Sequence, residues 1–504
     1  MKTFLAFFLV AASAQISFAA LSYLRYNVKD SILREPPLRQ PIPTADVIQE
    51  GWVRQRLDNF DPQNTQHFYM RYLMNSEHLQ EGGPIFIFVG GEWTISPGMI
   101  RAGHMFDMAR NLSGLMIYTE HRYYGYTTPV PNLEMDNMRF LNIDQALADL
   151  AHFIVYMKEQ IPQIRNSHVI LVGCSYSGTM VTWFMQKYPH LAAGAWSMSA
   201  PLLAKVDFIE YKEVVSHAVT TVGGEQCSGR IRRAIEEMEA MVAANNTSEI
   251  NRLFRLCDPL DLTNQLDVWS LFSDVAGPWS GMVQYYNEFY RDIEDPCENL
   301  VAINATSDIE AYAEWLMNRW RIRDGYCYDH TYAAFLDDFS GTNWDDWVAR
   351  SEWRQWLYQT CAEYGWYQSS GSEHPDFIFG SSFPADFSLQ WCHDLYDNFF
   401  TPDIVHGSID RTNVIYGGLN PNVRRVYSSH GEFDPWAPMG VRWDINDESP
   451  TVILPRQSHC SDTSSISDRD RPEVREHKER LFQVILRWLE EADRNQPNPE
   501  AKKH

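Results

Sequence analysis

The chain is poor in positive charge. Its 504 residues carry 42 Lys and Arg against 66 Asp and Glu, a formal net charge of −24. Such a surface repels phosphate, which excludes nucleic acid as a partner class. An apolar run of the roughly 20 residues needed to cross a bilayer is also missing. Phe4 to Ala12 falls well short of that length, and no later stretch qualifies. No internal repeat and no low-complexity linker occurs, which excludes solenoids and arrays. Zinc-ligand spacing is absent from "HCSDTSS", beginning at His459, and neither a metal nor a cofactor is expected.

What is present points to an exported globular protein. Hydrophobic residues make up 44% and aromatics 13%, enough for a sizeable core. The length suits two domains, or one large domain with an insertion. Residues 1–19 pair one lysine with a short apolar run and then small residues. This reads as a secretory signal peptide cut after Ala19, with a membrane anchor as the disfavoured alternative. Asn111, Asn245, Asn246 and Asn304 each begin an Asn-x-Ser/Thr sequon and become candidate glycan sites.

Eight cysteines in an exported chain imply disulfides. Cys227, Cys257, Cys297, Cys327, Cys361 and Cys392 share one middle segment and read as three bridges. Cys174 and Cys460 stand apart and read as buried thiols. A Cys174–Cys460 bridge is the disfavoured alternative, because strain there would displace the residues beside it.

From Gly83 onward, short apolar runs alternate with helical patterns. "PIFIFVGG", "GLMIYTEHR", "HVILVGCS" and "GAWSMSAP" read as buried parallel strands. Leu147, Leu150, Ile154 and Met157 recur at helical steps. This alternation predicts an α/β domain with a parallel sheet. From about residue 206 to 400 the pattern turns helical, with ten of the seventeen tryptophans and six of the eight cysteines. Strands return at "NVRRVYSSHGEFD" and "PTVILPRQSHCSD", and a last amphipathic helix precedes a polar tail. The expected organisation is a first α/β part over 20–205, a helical insertion over 206–400, a second α/β part over 401–495 and a tail over 496–504.

In "LVGCSYSGTM" the frame from Gly173 reads Gly-Cys-Ser-Tyr-Ser, not the Gly-x-Ser-x-Gly of a nucleophile elbow. Ser175 still follows an expected strand and precedes an expected helix, and Ser177 is small enough for a tight turn. A serine nucleophile needs a base, and the base an orienting acid. Asp434 in "GEFDPW" and His459 in "SHCSD" follow in the order serine, acid, histidine, each after a late strand. A turn-starting aspartate and a surface histidine are the plainer readings of those two residues taken singly.

"QRLDNFDPQNTQHFYMRY", "GGEW", "EHRYYGYTTP", "GCSYSG", "GEFDPW" and "SHCSD" together resemble the serine carboxypeptidase-like peptidases of the prolyl type. That family includes lysosomal Pro-X carboxypeptidase, dipeptidyl peptidase II and thymus-specific serine protease. The resemblance covers nearly the whole mature chain and is nearest to invertebrate serine proteases of the family. It implies an α/β-hydrolase fold whose helical, disulfide-containing cap, inserted before the last strands, acts as a lid that admits short peptides. It maps a catalytic triad onto Ser175, Asp434 and His459. It also implies the pairing Cys227–Cys392, Cys257–Cys327 and Cys297–Cys361, and a secreted or lysosomal destination, with a homodimer left open.

The oxyanion would meet the backbone N–H of Tyr176 and one near Gly91, although Gly90 and Gly91 could be glycines for tight packing alone. Relatives that cleave after proline read Ser-Tyr-Gly-Gly-Met at the elbow. Here Thr179 stands where that methionine lines the proline pocket. Trp436 keeps its family position, as a pocket wall or as packing behind Asp434. Glu92, Glu120 and Arg122 lie in loops that could bind a chain end, or Glu120 and Arg122 could form an internal ion pair. Whether the chain trims N- or C-termini is not legible at this level. An inactive binding protein and an esterase on the same fold are the alternatives.

Overall fold

Residues Ile48–Arg56 (β1) bury Val53 and Gln55 and expose Trp52 and Arg54, the alternation of a strand with one wet face. β1 pairs antiparallel with His67–Asn75 (β2). The runs Ile85–Val89 (β3), Leu115–Thr119 (β4), Val169–Cys174 (β5) and Gly194–Met198 (β6) are buried at every position, as strands covered on both faces must be. Val426–Gly431 (β7) is buried throughout as well, and Thr451–Leu454 (β8) forms the edge. The eight strands lie in the order β1-β2-β4-β3-β5-β6-β7-β8. The β1–β2 and β2–β4 pairs are antiparallel, and every pair from β4 to β8 is parallel. This mostly parallel, helix-covered sheet is the α/β-hydrolase fold expected from the sequence.

The computed structural model describes residues 35–43, 47–323 and 325–495. The expected signal peptide, 1–19, and the tail, 496–504, lie outside them. No helix among the described residues is long and apolar enough to cross a membrane.

Three helices place the elements that matter most. His104–Asn111 (α1) follows the loop after β3. Ile143–Gln160 (α2) starts at Asn142, whose side chain accepts the Gln145 N–H, an N-cap. It buries the expected Leu147, Leu150, Ile154 and Met157. Tyr176–Lys187 (α3) is buried from Tyr176 to Met185. The last helix, Pro472–Arg494, presses Trp488 so close to β6 that a Cβ on Gly194 would lie 2.2 Å from its ring.

The chain divides into two compact units. The helical unit comprises Val206–Gly341 and Trp366–Asp403. The sheet-bearing unit takes the chain up to Lys205, then Thr342–Gly365, and again from Ile404. The expectation of an unbroken insertion over 206–400 is thus corrected at Thr342–Gly365. That segment joins the sheet-bearing unit through buried polar contacts. Gln355 donates to Tyr123 O at 3.1 Å, Tyr124 donates to Gln359 Oε1 at 2.5 Å, and Glu352 Oε1 accepts the Gly125 N–H at 3.1 Å.

In the helical unit, helix Glu225–Ala243 brings Cys227 to Cys297, with Cα atoms 5.3 Å apart. Gly223 packs against the same sulfur, where a Cβ would lie at 2.2 Å. Cys257 pairs with Cys327, and Cys361 and Cys392 are also oxidised. Of the implied pairing only Cys257–Cys327 is present. Cys227–Cys392 and Cys297–Cys361 are replaced because helix Glu294–Ala302 delivers Cys297 to Cys227. All four sequon asparagines are exposed.

Candidate active site

One residue turns the chain between β5 and α3. Ser175 adopts φ 58° and ψ −132°, a conformation that costs about 1–3 kcal/mol and persists only where its surroundings impose it. Its N–H donates to Met198 O at 2.9 Å. Ser177 answers the question of the missing glycine. Its hydroxyl accepts the Cys174 N–H and donates to the Cys174 carbonyl, both at 2.9 Å, and so closes the turn from inside. Small neighbours are obligatory: a Cβ on Gly173 would lie 2.2 Å from Ser177 O, and one on Gly178 2.7 Å from Met198 O.

Thr179 is corrected as a pocket residue. It is fully buried and its hydroxyl donates to Pro201 O at 2.7 Å, so it braces the elbow from beneath and offers no hydroxyl to a substrate.

Asp434 lies in the turn after β7, its N–H donating to Gly431 O at 3.2 Å, and His459 lies five residues past the end of β8. Both therefore stand at the carboxyl ends of parallel strands, where open α/β sheets gather their sites. His459 Nδ1 lies 2.8 Å from Asp434 Oδ1. The same oxygen accepts the Trp436 N–H at 3.0 Å. Asp434 is fully buried and His459 nearly so. A carboxylate only accepts, so Nδ1 donates and Nε2 carries the lone pair; Nε2 has no partner among the described residues. The Trp436 ring lies 6.3 Å from the imidazole. His430, on β7, is pushed down to about 4 by burial and stays neutral.

The cysteines flanking the serine and the histidine are bonded to each other, Cys174 to Cys460, with Cα atoms 5.9 Å apart. This overturns the reading of two buried thiols. The bridge does not displace its neighbours because the histidine loop is already tied to the sheet: the Cys460 N–H donates to Ser199 Oγ at 2.9 Å, and the Ser199 N–H to Ser429 O at 2.7 Å. A ring nitrogen of His459 and the two sulfurs lie within 4.8 Å of one another, which brings the imidazole to the elbow. A disulfide holds no thiolate, so this trio is no cation site.

Removing the bridge with Cys174→Ala and Cys460→Ala together is expected to lower stability by about 3–5 kcal/mol, because cross-links over long loops restrict the unfolded chain most. It should also slow phosphonylation of Ser175 by a fluorophosphonate roughly 10- to 100-fold. Thermal unfolding and the labelling rate measured well below the melting point report the two effects separately. An unchanged rate would mean that the bridge serves stability alone.

In the loop after β3, the Gly90 N–H is committed to Thr119 O at 2.9 Å. Cβ atoms on Gly90 and Gly91 would meet Thr119 O at 2.3 Å and the Trp93 ring at 2.8 Å, so packing alone requires both glycines. Glu92 is buried, with Oε2 unpartnered, and burial pushes its carboxyl up to about 8. Glu120 and Arg122 do not pair with each other. Glu120 binds Arg71 at 3.1 Å and accepts from Thr127 at 2.9 Å. Arg122 grips Asp149 through two bonds of 2.7 and 2.8 Å. Both are thereby structural.

Tyr176, first residue of α3, is fully buried; its hydroxyl accepts from Gln359 at 2.9 Å and lies 3.2 Å from His121 Nε2. Sequence reasoning missed Gln359 and Glu352, because their segment carries no motif and reads as part of the insertion.

Residues 55–481 match the family model described as serine carboxypeptidase S28. The thymus-specific serine protease of Mus musculus is 29% identical over 89% of this chain and 89% of its own length. The lysosomal Pro-X carboxypeptidase of Bos taurus is 27% identical over 87% of each. Among solved structures, the proline iminopeptidase of Mycobacterium smegmatis aligns over 84% of this chain and 96% of its own, at 11% identity and a TM-score of 0.34. With the family match running from β1 into the last helix, the chain belongs to the serine carboxypeptidase S28 family and is a serine-type peptidase.

Proposed function

We propose that Ser175, His459 and Asp434 form a catalytic triad that hydrolyses short peptides through an acyl-enzyme. Ser175 attacks the scissile carbonyl as His459 Nε2 takes its proton. Asp434 holds Nδ1–H and stabilises the imidazolium. The oxyanion is received by the N–H groups of Tyr176, at the positive end of α3, and of Gly91. Imidazolium then protonates the leaving amine, and water, deprotonated by the same histidine, releases the acid. One observation carries the reading: a serine at φ 58° between strand and helix, followed along the chain by an aspartate and a histidine 2.8 Å apart.

The enzyme acts as an exopeptidase in the secretory pathway or lysosome, as the name of the Pro-X carboxypeptidase relative and the oxidised cysteines support. Trp436 beside the imidazole forms one wall for a proline or small residue before the cut bond. A fluorophosphonate is expected to label Ser175, and a peptide library to yield cleavage near one chain end. Labelling elsewhere, or turnover of esters without peptides, would sink the proposal.

A further inference from the structure

Glu92 is the functional group that the triad chemistry leaves unexplained. It directly follows Gly91, so it lies one residue from the proposed oxyanion donor, and Thr94, two residues further on, donates its hydroxyl to Glu352 at 2.5 Å. Its carboxyl is buried and Oε2 meets no donor. Native interiors seldom tolerate this, since such a group costs its full desolvation.

The neighbouring charge makes matters worse. Glu352 bears on Glu92 with like charge, and burial pushes its own carboxyl up to about 7. Glu352 is held in place by the Thr94 hydroxyl at 2.5 Å and the Gly125 N–H at 3.1 Å, both donating to Oε1. Arg71 is engaged by Glu50 and Glu120, each at 3.1 Å, and Arg122 by Asp149. Burial by itself favours the protonated form of both carboxyls; a small cation with several N–H donors would ionise them and engage the oxygen left unpartnered.

We propose that Glu92 and Glu352 form the subsite that receives the free α-ammonium of the peptide, so that the enzyme trims short peptides from their N-termini. A peptide supplies that cation at one end only. Its C-terminal carboxylate would face two groups of its own sign and be rejected. The inference rests on the proposed triad and deepens it by setting the polarity of exopeptidase action.

The test uses the full-length protein, aminoacyl- and dipeptidyl-anilides with proline or alanine before the anilide, the same compounds N-acetylated, and N-acetylated peptides ending in a free carboxylate. The wild type is expected to prefer free-amine substrates over acetylated ones by about 10- to 100-fold in kcat/KM, the range for a charged hydrogen bond in a dry site. Glu92→Gln and Glu352→Gln should each shrink that ratio, mainly through KM, and Glu92→Asp should restore part of it. Equal turnover of acetylated substrates by the wild type would overturn the subsite, as would preference for the free-carboxylate peptides. So would a Glu92→Gln variant with an unchanged ratio and raised melting temperature, the signature of a purely structural pair. Should the wild type fail to be labelled at Ser175 by a fluorophosphonate, the triad itself would fall, and the subsite with it.

Discussion

Ser175→Ala is expected to lower peptide hydrolysis by about 10⁶-fold, the scale on which serine peptidases lose turnover when the covalent route disappears. The variant should fold, because the elbow does not depend on that hydroxyl. Its turn is held by the Ser175 N–H to Met198 and by Ser177 bonding both backbone groups of Cys174. Alanine fits where serine fits, and the positive φ of 58° burdens both alike. Ser177→Ala gives the contrasting result. It removes both bonds to Cys174 and leaves two buried backbone groups unpaired, so it should cost stability, by about 1–3 kcal/mol, while retaining a labelled nucleophile. The measurements are kcat/KM on a fluorogenic peptide, fluorophosphonate labelling and a thermal melt. A fully active Ser175→Ala would remove the serine from the mechanism.

Asp434→Ala should follow at about 10⁴-fold in kcat, the order reported by deleting the acid of such a triad. With the carboxylate gone, nothing holds Nδ1–H or stabilises the imidazolium. Asp434→Asn should lose less. Oδ1 accepts from both His459 Nδ1 and the Trp436 N–H, and the two donors together favour placing an amide oxygen at that position. The imidazole then keeps its productive tautomer and lacks only the countercharge. The ratio of the two variants' rates therefore separates orientation from charge. An Asn variant as slow as the Ala variant would show that the amide flips and reverses the tautomer.

Local sequence carried the architecture. Strands β3 to β6 were legible because a strand covered on both faces must be apolar at every position, and α2 because its stripe repeats at helical steps. Ser175, Asp434 and His459 were legible for a related reason. Their proposed roles require short segments, each at the end of a strand, and chain order is itself visible in a sequence. The landmarks "GCSYSG", "GEFDPW" and "SHCSD" sit in those segments, so the family too could be read there.

Partner choice was not local. Cys174 and Cys460 are 286 residues apart, and only the adjacency of the elbow to the histidine loop makes them a pair. Thr179 read as a pocket residue because its position in the motif was known, but the direction of its hydroxyl depends on the fold around Pro201. Glu120 and Arg122 stand two residues apart, and an internal ion pair was one of two readings for them, yet in a loop such residues need not share a side, and Arg71 and Asp149 take them separately. Thr342–Gly365 was assigned to the insertion by chain position, and buried polar contacts moved it to the sheet-bearing unit. By itself, then, the sequence determined the strand pattern, the order of the candidate triad and the family, because periodicity and motif are properties of neighbours along the chain. Only the tertiary structure decided which cysteines bond, which charges are neutralised and which carboxyl is left without a partner, because each depends on groups brought together from tens to hundreds of residues apart.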